Sequence, residues 1–119
     1  MAVQSFRDLI VWQKSVELVF EIYHVTKEFP REEIYGLRAQ MRRAAVSIPS
    51  NIAEGSRRKN TPEYLQFLRI ADASSAELET QIIITKQLYP SLPCPKAELL
   101  LNEVQKMLRA IMTKLELKT

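Results

Sequence analysis

The amino-acid sequence predicts an all-α protein: an antiparallel, up-down-up-down four-helix bundle with a proline-kinked second helix. Only two glycines occur in 119 residues, which leaves few positions for tight turns. Apolar residues recur at steps of three and four through four segments, and five of the six prolines fall between those segments. Short connections favour antiparallel neighbours. The length suits a single domain over residues 1–119 with its own core.

The first helix is expected from about Asp8 to Glu28, with Asp8 as its N-cap. At 100° per residue its apolar side chains gather on two stripes roughly 130° apart. One stripe holds Leu9, Trp12, Val16, Val19, Phe20 and Tyr23, and the other holds Val11, Leu18, Ile22 and Val25. Two apolar faces indicate a helix that packs inward and also contacts something else. The alternative is one very wide face that turns entirely to the core.

The second helix is expected to start near Glu33 and to continue through Pro49. Its apolar stripe consists of Ile34, Leu37, Met41, Ala44 or Ala45, Ile48, Ile52 and Gly55. The steps keep their phase across Pro49, which favours one helix with a kink over two independent helices. Proline removes the backbone hydrogen bond to the carbonyl of Ala45, which is the physical reason to expect a kink.

Polar residues surround this predicted kink. Ser47 and Ser50 are placed to satisfy freed backbone groups. The competing interpretation is two short helices, with Asn51 as an N-cap and Glu54 completing a capping box. The structural motif assigned to the kink comprises Ser47, Pro49, Asn51, Glu54 and Gly55.

The third and fourth helices have clearer starts. Thr61 is the expected N-cap of the third, ahead of a proline that suits the first helical position. Its stripe runs from Tyr64 to Tyr89, and small residues at 71–76 would let a neighbouring helix approach closely. The fourth helix is expected to open at Pro95. Its stripe is close to a heptad seam and contains Ala97, Leu101, Val104, Leu108, Ile111 and Leu115.

Several function classes find no support in the sequence. No apolar run approaches the roughly 20 residues needed to span a bilayer, and no export signal is recognisable, so a cytoplasmic location without membrane contact is expected. Cys94 is the single cysteine, and no activating cation surrounds it. Glu21 and His24 have the Glu-x-x-His spacing of di-iron bundles, but such sites need two of these motifs. We therefore expect no metal, no cofactor and no enzymatic activity.

Positive charge is concentrated in the second helix and the turn after it. Residues 38–59 carry six cations against the single carboxylate of Glu54, a local net charge of +5. The arginine guanidinium can bind a phosphate through two hydrogen bonds, so this segment is a candidate nucleic-acid site. The alternative is a solvent-exposed helix face whose cations form ion pairs with Glu54 or with acidic side chains of neighbouring helices. No aromatic residue is interleaved with these cations, so we expect contact with backbone or shape rather than base stacking. The candidate residues are Arg38, Arg42, Arg43, Arg57, Arg58 and Lys59.

These motifs together resemble a known family. The run LRAQMRRAAVSIPSNIAEGSRRKN, followed by TPEYLQFLRIADASSAELETQI, is similar to the bacterial four helix bundle proteins, as is the opening FRDLIVWQKSVELV. These are also called intervening-sequence proteins, because some are encoded within insertions in 23S ribosomal RNA genes. The chain also resembles the accessory variability determinant proteins of diversity-generating retroelements, basic pentameric barrels that engage a reverse transcriptase and nucleic acid. The resemblance implies a kinked second helix, an antiparallel bundle and a ring-like homo-oligomer, a pentamer.

The predicted function is therefore that of a non-enzymatic oligomeric bundle that binds structured RNA or DNA through phosphates. A ring would multiply the basic segment, so that modest affinity becomes avidity. The alternative is an interaction adaptor that docks an acidic protein partner, for example a reverse transcriptase-like enzyme, without direct nucleic-acid binding.

Overall fold

The computed structural model describes residues 5–118, which form four α-helices and two short 3-10 turns and contain no strand. The helices are α1 (Ile10–Thr26), α2 (Leu37–Ser56), α3 (Thr61–Leu88) and α4 (Pro95–Glu116), and the 3-10 turns are Phe6–Asp8 and Arg31–Glu33. Consecutive helices pack against one another and α4 packs against α1. At 1.5 Å per residue α3 is about 42 Å long, close to the 45 Å long axis of the molecule. The predicted all-helical bundle is confirmed, while its up-down order stays a prediction.

The two apolar stripes of α1 have different environments. The stripe that contains Leu18 and Ile22 is buried in the core, and both of these side chains are fully inaccessible. On the other stripe Phe20 is 70% exposed and Tyr23 is 39% exposed. Leu9, Trp12 and Val19 of that stripe are partly buried and pack against the core. The core-facing side of α1 is therefore wide, but it does not include Phe20 and Tyr23. Contact of the second stripe with another molecule stays a prediction.

Pro49 lies inside an unbroken helix. The single element α2 runs from Leu37 to Ser56, so the alternative of two short helices with Asn51 as an N-cap is wrong. Instead, the Asn51 side-chain amide donates to the carbonyl of Ser47 at 2.8 Å and to its hydroxyl at 3.0 Å. Pro49 itself is buried against the core. The kink stays a prediction.

The serines near Pro49 do not bond the carbonyl that proline frees. The Ser50 hydroxyl donates to the carbonyl of Val46 at 2.8 Å, one residue beyond Ala45. Ser47 instead accepts from the Ser74 hydroxyl of α3 at 2.9 Å. The serines therefore make an intrahelical bond and an interhelical link, rather than the expected repair at Ala45, because a hydroxyl reaches back four residues along its own helix.

Close packing of α2 against α3 depends on Gly55. A Cβ atom at this position would lie 2.7 Å from Phe67 Cβ and 3.0 Å from Tyr64 Cδ1. Real carbon atoms do not approach so closely, so only glycine fits without a shift of α3. Further along, Ala71 and Ser74 in the predicted small-residue patch are buried.

The first two helices begin later than the sequence predicted. Asp8 belongs to the 3-10 turn Phe6–Asp8, so the N-cap of α1 is Leu9, which makes no side-chain cap. The α2 helix begins at Leu37 rather than near Glu33, because Glu33 ends a second 3-10 turn. The Leu37 backbone N–H donates to Glu33 Oε1 at 3.1 Å, so this carboxylate still caps the helix from outside.

The start of α3 differs by one residue from the prediction. Asn60 is the N-cap, and its side-chain oxygen accepts from the backbone N–H of Glu63 at 2.9 Å. Thr61 is the first helical residue instead. Asparagine and threonine both favour the N-cap position. Asn60 occupies it because its backbone is extended, as an N-cap requires.

Candidate nucleic-acid interface

The six candidate cations lie at two places along α2. Three belong to its first two turns and three follow its C-terminal end. From Arg43 to Arg57 the helix rises about 21 Å, at 1.5 Å per residue. We call the two groups the N-terminal basic cluster (Arg38, Arg42 and Arg43) and the C-terminal basic cluster (Arg57, Arg58 and Lys59).

Arg42 is held by the end of α1. Its Nε donates to Thr26 Oγ1 at 2.9 Å and its Nη2 donates to the carbonyl of Tyr23 at 3.2 Å. The guanidinium carbon also lies 4.2 Å from the centre of the Tyr23 ring. Burial, and then the charge of Arg38, lower the pKa of Arg42, but an arginine remains charged at any physiological pH. A cation at these carbonyls complements the C-terminal end of the α1 dipole.

Arg43 is different, because its side chain is exposed. Arg38 is half-buried. The two adjacent arginines of α2 therefore divide their roles: Arg42 fastens α2 to α1, and Arg43 points its charge to solvent. The sequence analysis grouped both in one basic segment, because the sequence does not show where a neighbouring helix ends.

An apolar depression lies beside the N-terminal basic cluster. This α1–α2 groove has a volume of about 470 Å³, and its lining includes Phe20, Tyr23 and Val46, with Lys27 at its edge. It is built from the second stripe of α1 and from Val46, which is 40% exposed. The groove therefore combines exposed apolar surface with nearby positive charge.

The C-terminal basic cluster lies against aromatic rings that its sequence neighbours do not supply. The Arg57 guanidinium is 5.7 Å from the centre of the Phe6 ring, and that of Arg58 is 4.6 Å from the centre of the Phe67 ring. Arg58 also forms an ion pair with Glu54 at 3.4 Å. Glu54, assigned to the kink by sequence, thus orients an arginine at the end of the helix.

The 3-10 turn before α1 completes this end of the bundle. Arg7 lies 5.0 Å from the centre of the Phe6 ring, and Phe6 packs against Trp12 with ring centres 5.2 Å apart. Sequence reasoning missed Phe6, Arg7 and Phe67 as neighbours of the cluster. No local spacing predicts the contact of Phe6 with Arg57, since residue 6 reaches residue 57 only through the packing of the turn on α2.

The described part of the chain gives little support for a reactive thiol, a metal site or a membrane-spanning helix. Burial raises the pKa of the Cys94 thiol, and the neighbouring charge of Glu98 adds to the increase. Residues 5–118 contain no group of three or more histidine, cysteine or acidic side chains placed to hold a metal ion. Over the same residues, none of the helices is both long and apolar enough to cross a membrane.

Comparison with known proteins places the chain in a family. A search of curated proteins finds no match. A family model described as 23S rRNA-intervening sequence protein matches residues 7–112, which include both basic clusters and all but the last turn of α4. Since the match covers most of the 119 residues, the chain belongs to the 23S rRNA-intervening sequence protein family.

Proposed function

We propose that this protein is a non-enzymatic, cytoplasmic oligomer that binds structured RNA through phosphate contacts from α2. The observation that carries the proposal is the exposure of Arg43, Arg57 and Lys59 along one helix and the turn after it. The family description, which refers to 23S rRNA, supports RNA over other polyanions. Arg42 contributes by holding α2 in place, and the other five candidate cations make the phosphate contacts.

The distance between the clusters suits an extended polyanion. Double-stranded DNA carries about one phosphate charge per 1.7 Å of its axis, so a duplex segment of about 21 Å, the distance between the clusters, carries roughly a dozen charges on its two strands. A small anion would contact only one cluster. A nucleic acid that lies along α2 contacts both, which favours a folded RNA over a mononucleotide.

The α1–α2 groove supports self-association. Phe20, Tyr23 and Val46 leave apolar surface exposed, and a second copy of the chain would bury it. Following the family resemblance, we propose a pentameric ring, which repeats both basic clusters and raises the avidity for one RNA.

Light scattering tests the oligomer. We expect a mass several times that of the 13.8 kDa chain at micromolar concentration. Phe20→Glu should reduce the mass to that of a monomer with the helical circular dichroism retained, because a carboxylate would be buried at the contact. A stable monomer of the unmodified protein would refute self-association.

Fluorescence anisotropy with a labelled RNA hairpin tests binding. Arg43→Ala should weaken binding, whereas Arg109→Ala should leave it unchanged, because Arg109 is an exposed arginine of α4 remote from α2. Equal losses in both variants would show that net charge alone is responsible. An intact oligomer that binds no hairpin near physiological salt would instead favour the adaptor for an acidic protein partner, such as a reverse transcriptase-like enzyme.

A further inference from the structure

Three arginines lie on two aromatic rings at the end of the bundle where α2 meets α3. Arg7 and Arg57 both approach the Phe6 ring, and Arg58 covers the Phe67 ring. We call these five residues the arginine–aromatic cluster. All three arginines are exposed, and both rings are half-buried.

The cluster holds most of the arginine–aromatic contacts in the described residues. Of four such pairs, three involve the Phe6 and Phe67 rings. The fourth, Arg42 on Tyr23, has a structural purpose at the end of α1. Among the described residues, the three arginines of the cluster have no such hydrogen bond to the backbone carbonyl of another helix.

Separate parts of the chain build the cluster. The 3-10 turn Phe6–Asp8 packs on α2 and brings Phe6 to Arg57. Gly55 allows α3 to approach so closely that Phe67 lies under Arg58. Glu54 forms an exposed ion pair with Arg58 at 3.4 Å beside the cluster.

This arrangement has the chemistry that binds a nucleobase. Unpaired bases stack on aromatic rings and on arginine guanidinium planes, and the N–H groups of an exposed guanidinium can also reach a phosphate. Bases inside a duplex are already stacked and paired, so only an unpaired base is free to enter. We propose that the arginine–aromatic cluster binds an unpaired nucleobase together with its phosphate, so that the protein prefers nucleic acid with a single-stranded segment. The inference rests on the proposed nucleic-acid binding and adds a specificity to it.

This specificity differs from the sequence-based expectation. The six candidate cations have no aromatic neighbours in the chain, which predicted contact with backbone or shape alone. The folded protein brings Phe6 and Phe67 to the C-terminal basic cluster. The N-terminal basic cluster keeps the predicted role, because its one ring contact belongs to Arg42.

Trp12 provides the measurement. It is the only tryptophan, and its ring centre lies 5.2 Å from that of Phe6. We would titrate the oligomer with a single-stranded heptanucleotide, as RNA and as DNA of the same sequence, and with a blunt-ended RNA duplex, which has no unpaired base. We expect the single strands to change Trp12 fluorescence and to bind about tenfold more tightly per phosphate than the duplex, the scale of stacking on one ring.

Two variants separate stacking from charge. Phe6→Leu keeps an apolar side chain against Trp12 and should reduce single-strand affinity about tenfold, the scale of one lost base stack, with affinity for the blunt duplex unchanged. Arg57→Lys keeps the positive charge but removes the planar guanidinium, so it should selectively weaken binding of the single strand. This variant tests the inference even if Phe6→Leu folds poorly. Tyr35→Leu is the matched control, because Tyr35 is an aromatic residue 94% exposed and outside the cluster.

The outcomes are distinct. Binding to the blunt duplex without a preference for single strands, or a preference unaffected by Phe6→Leu and Arg57→Lys, would overturn this inference and leave the proposed function standing. Absence of binding to every probe would overturn both. Equal affinity for the RNA and DNA strands supports recognition of the base and phosphate, and stronger RNA binding adds a contact to the 2′-hydroxyl.

Discussion

The neighbouring arginines Arg42 and Arg43 give the most discriminating test of the structure. Arg42→Ala removes two hydrogen bonds to the end of α1, at 2.9 and 3.2 Å, and the stacking on Tyr23 at 4.2 Å. For a partly exposed guanidinium each bond contributes about 1 kcal/mol and the ring contact about 0.5–1 kcal/mol. We therefore expect Arg42→Ala to lower the free energy of unfolding by about 2–3 kcal/mol.

The size of the thermal effect follows from the length of the chain. At about 2.1 cal/mol/K per residue, 119 residues unfold with an entropy of about 0.25 kcal/mol/K, so Tm should fall by about 8–12 °C. Thermal unfolding followed by circular dichroism measures this. Arg43→Ala is the matched control and should shift Tm by no more than about 2 °C, because an exposed side chain contributes within about 0.5 kcal/mol. Equal Tm values for the two variants would refute the separate roles assigned to these residues.

Three further perturbations test other contacts. Gly55→Ala should lower stability by about 1 kcal/mol, because overpacking against Phe67 outweighs the better helix propensity of alanine; a raised Tm would contradict the close approach. The hydrogen bond from the Tyr89 hydroxyl lowers the pKa of Glu33, so its stabilisation is present above the ordinary carboxyl pKa and is lost as pH falls through the lowered one. The difference in urea midpoint between the unmodified protein and Tyr89→Phe should therefore shrink in acid, and a constant difference would argue against this pair. Burial raises the pKa of the Cys94 thiol, so a disulfide reagent should react slowly with native protein and fully in denaturant; rapid native reaction would show an accessible thiol.

Helical periodicity predicted most of the fold. The stripes of α2, α3 and α4 contain most of the residues that are buried in those helices, because the spacing of apolar side chains records which side of a helix leaves water. The starts of the first three helices were less predictable. Asp8 and Thr61 are good caps by type, but a 3-10 turn competes with Asp8 and the adjacent Asn60 takes the place of Thr61.

The site was less accessible to sequence reasoning than the fold. Charge density located the basic segment as a local excess of cations, and phosphate binding by that segment stays a prediction. It did not distinguish the role of Arg42 from that of Arg43, since the hydrogen bonding of Arg42 depends on where α1 ends. It also missed the rings beside Arg57 and Arg58, because those contacts join the 3-10 turn and α3 to the end of α2.

The salt dependence of RNA-hairpin binding by the intact protein tests the central claim most directly. If the two basic clusters of α2 hold phosphates, the logarithm of the affinity should fall linearly with the logarithm of salt concentration, with a slope of several units. Arg43→Ala should reduce that slope by about one unit for each subunit that contacts the hairpin, as expected for one lost phosphate contact per subunit. An affinity that does not change with salt, or the same slope in Arg43→Ala, would contradict phosphate binding by this helix.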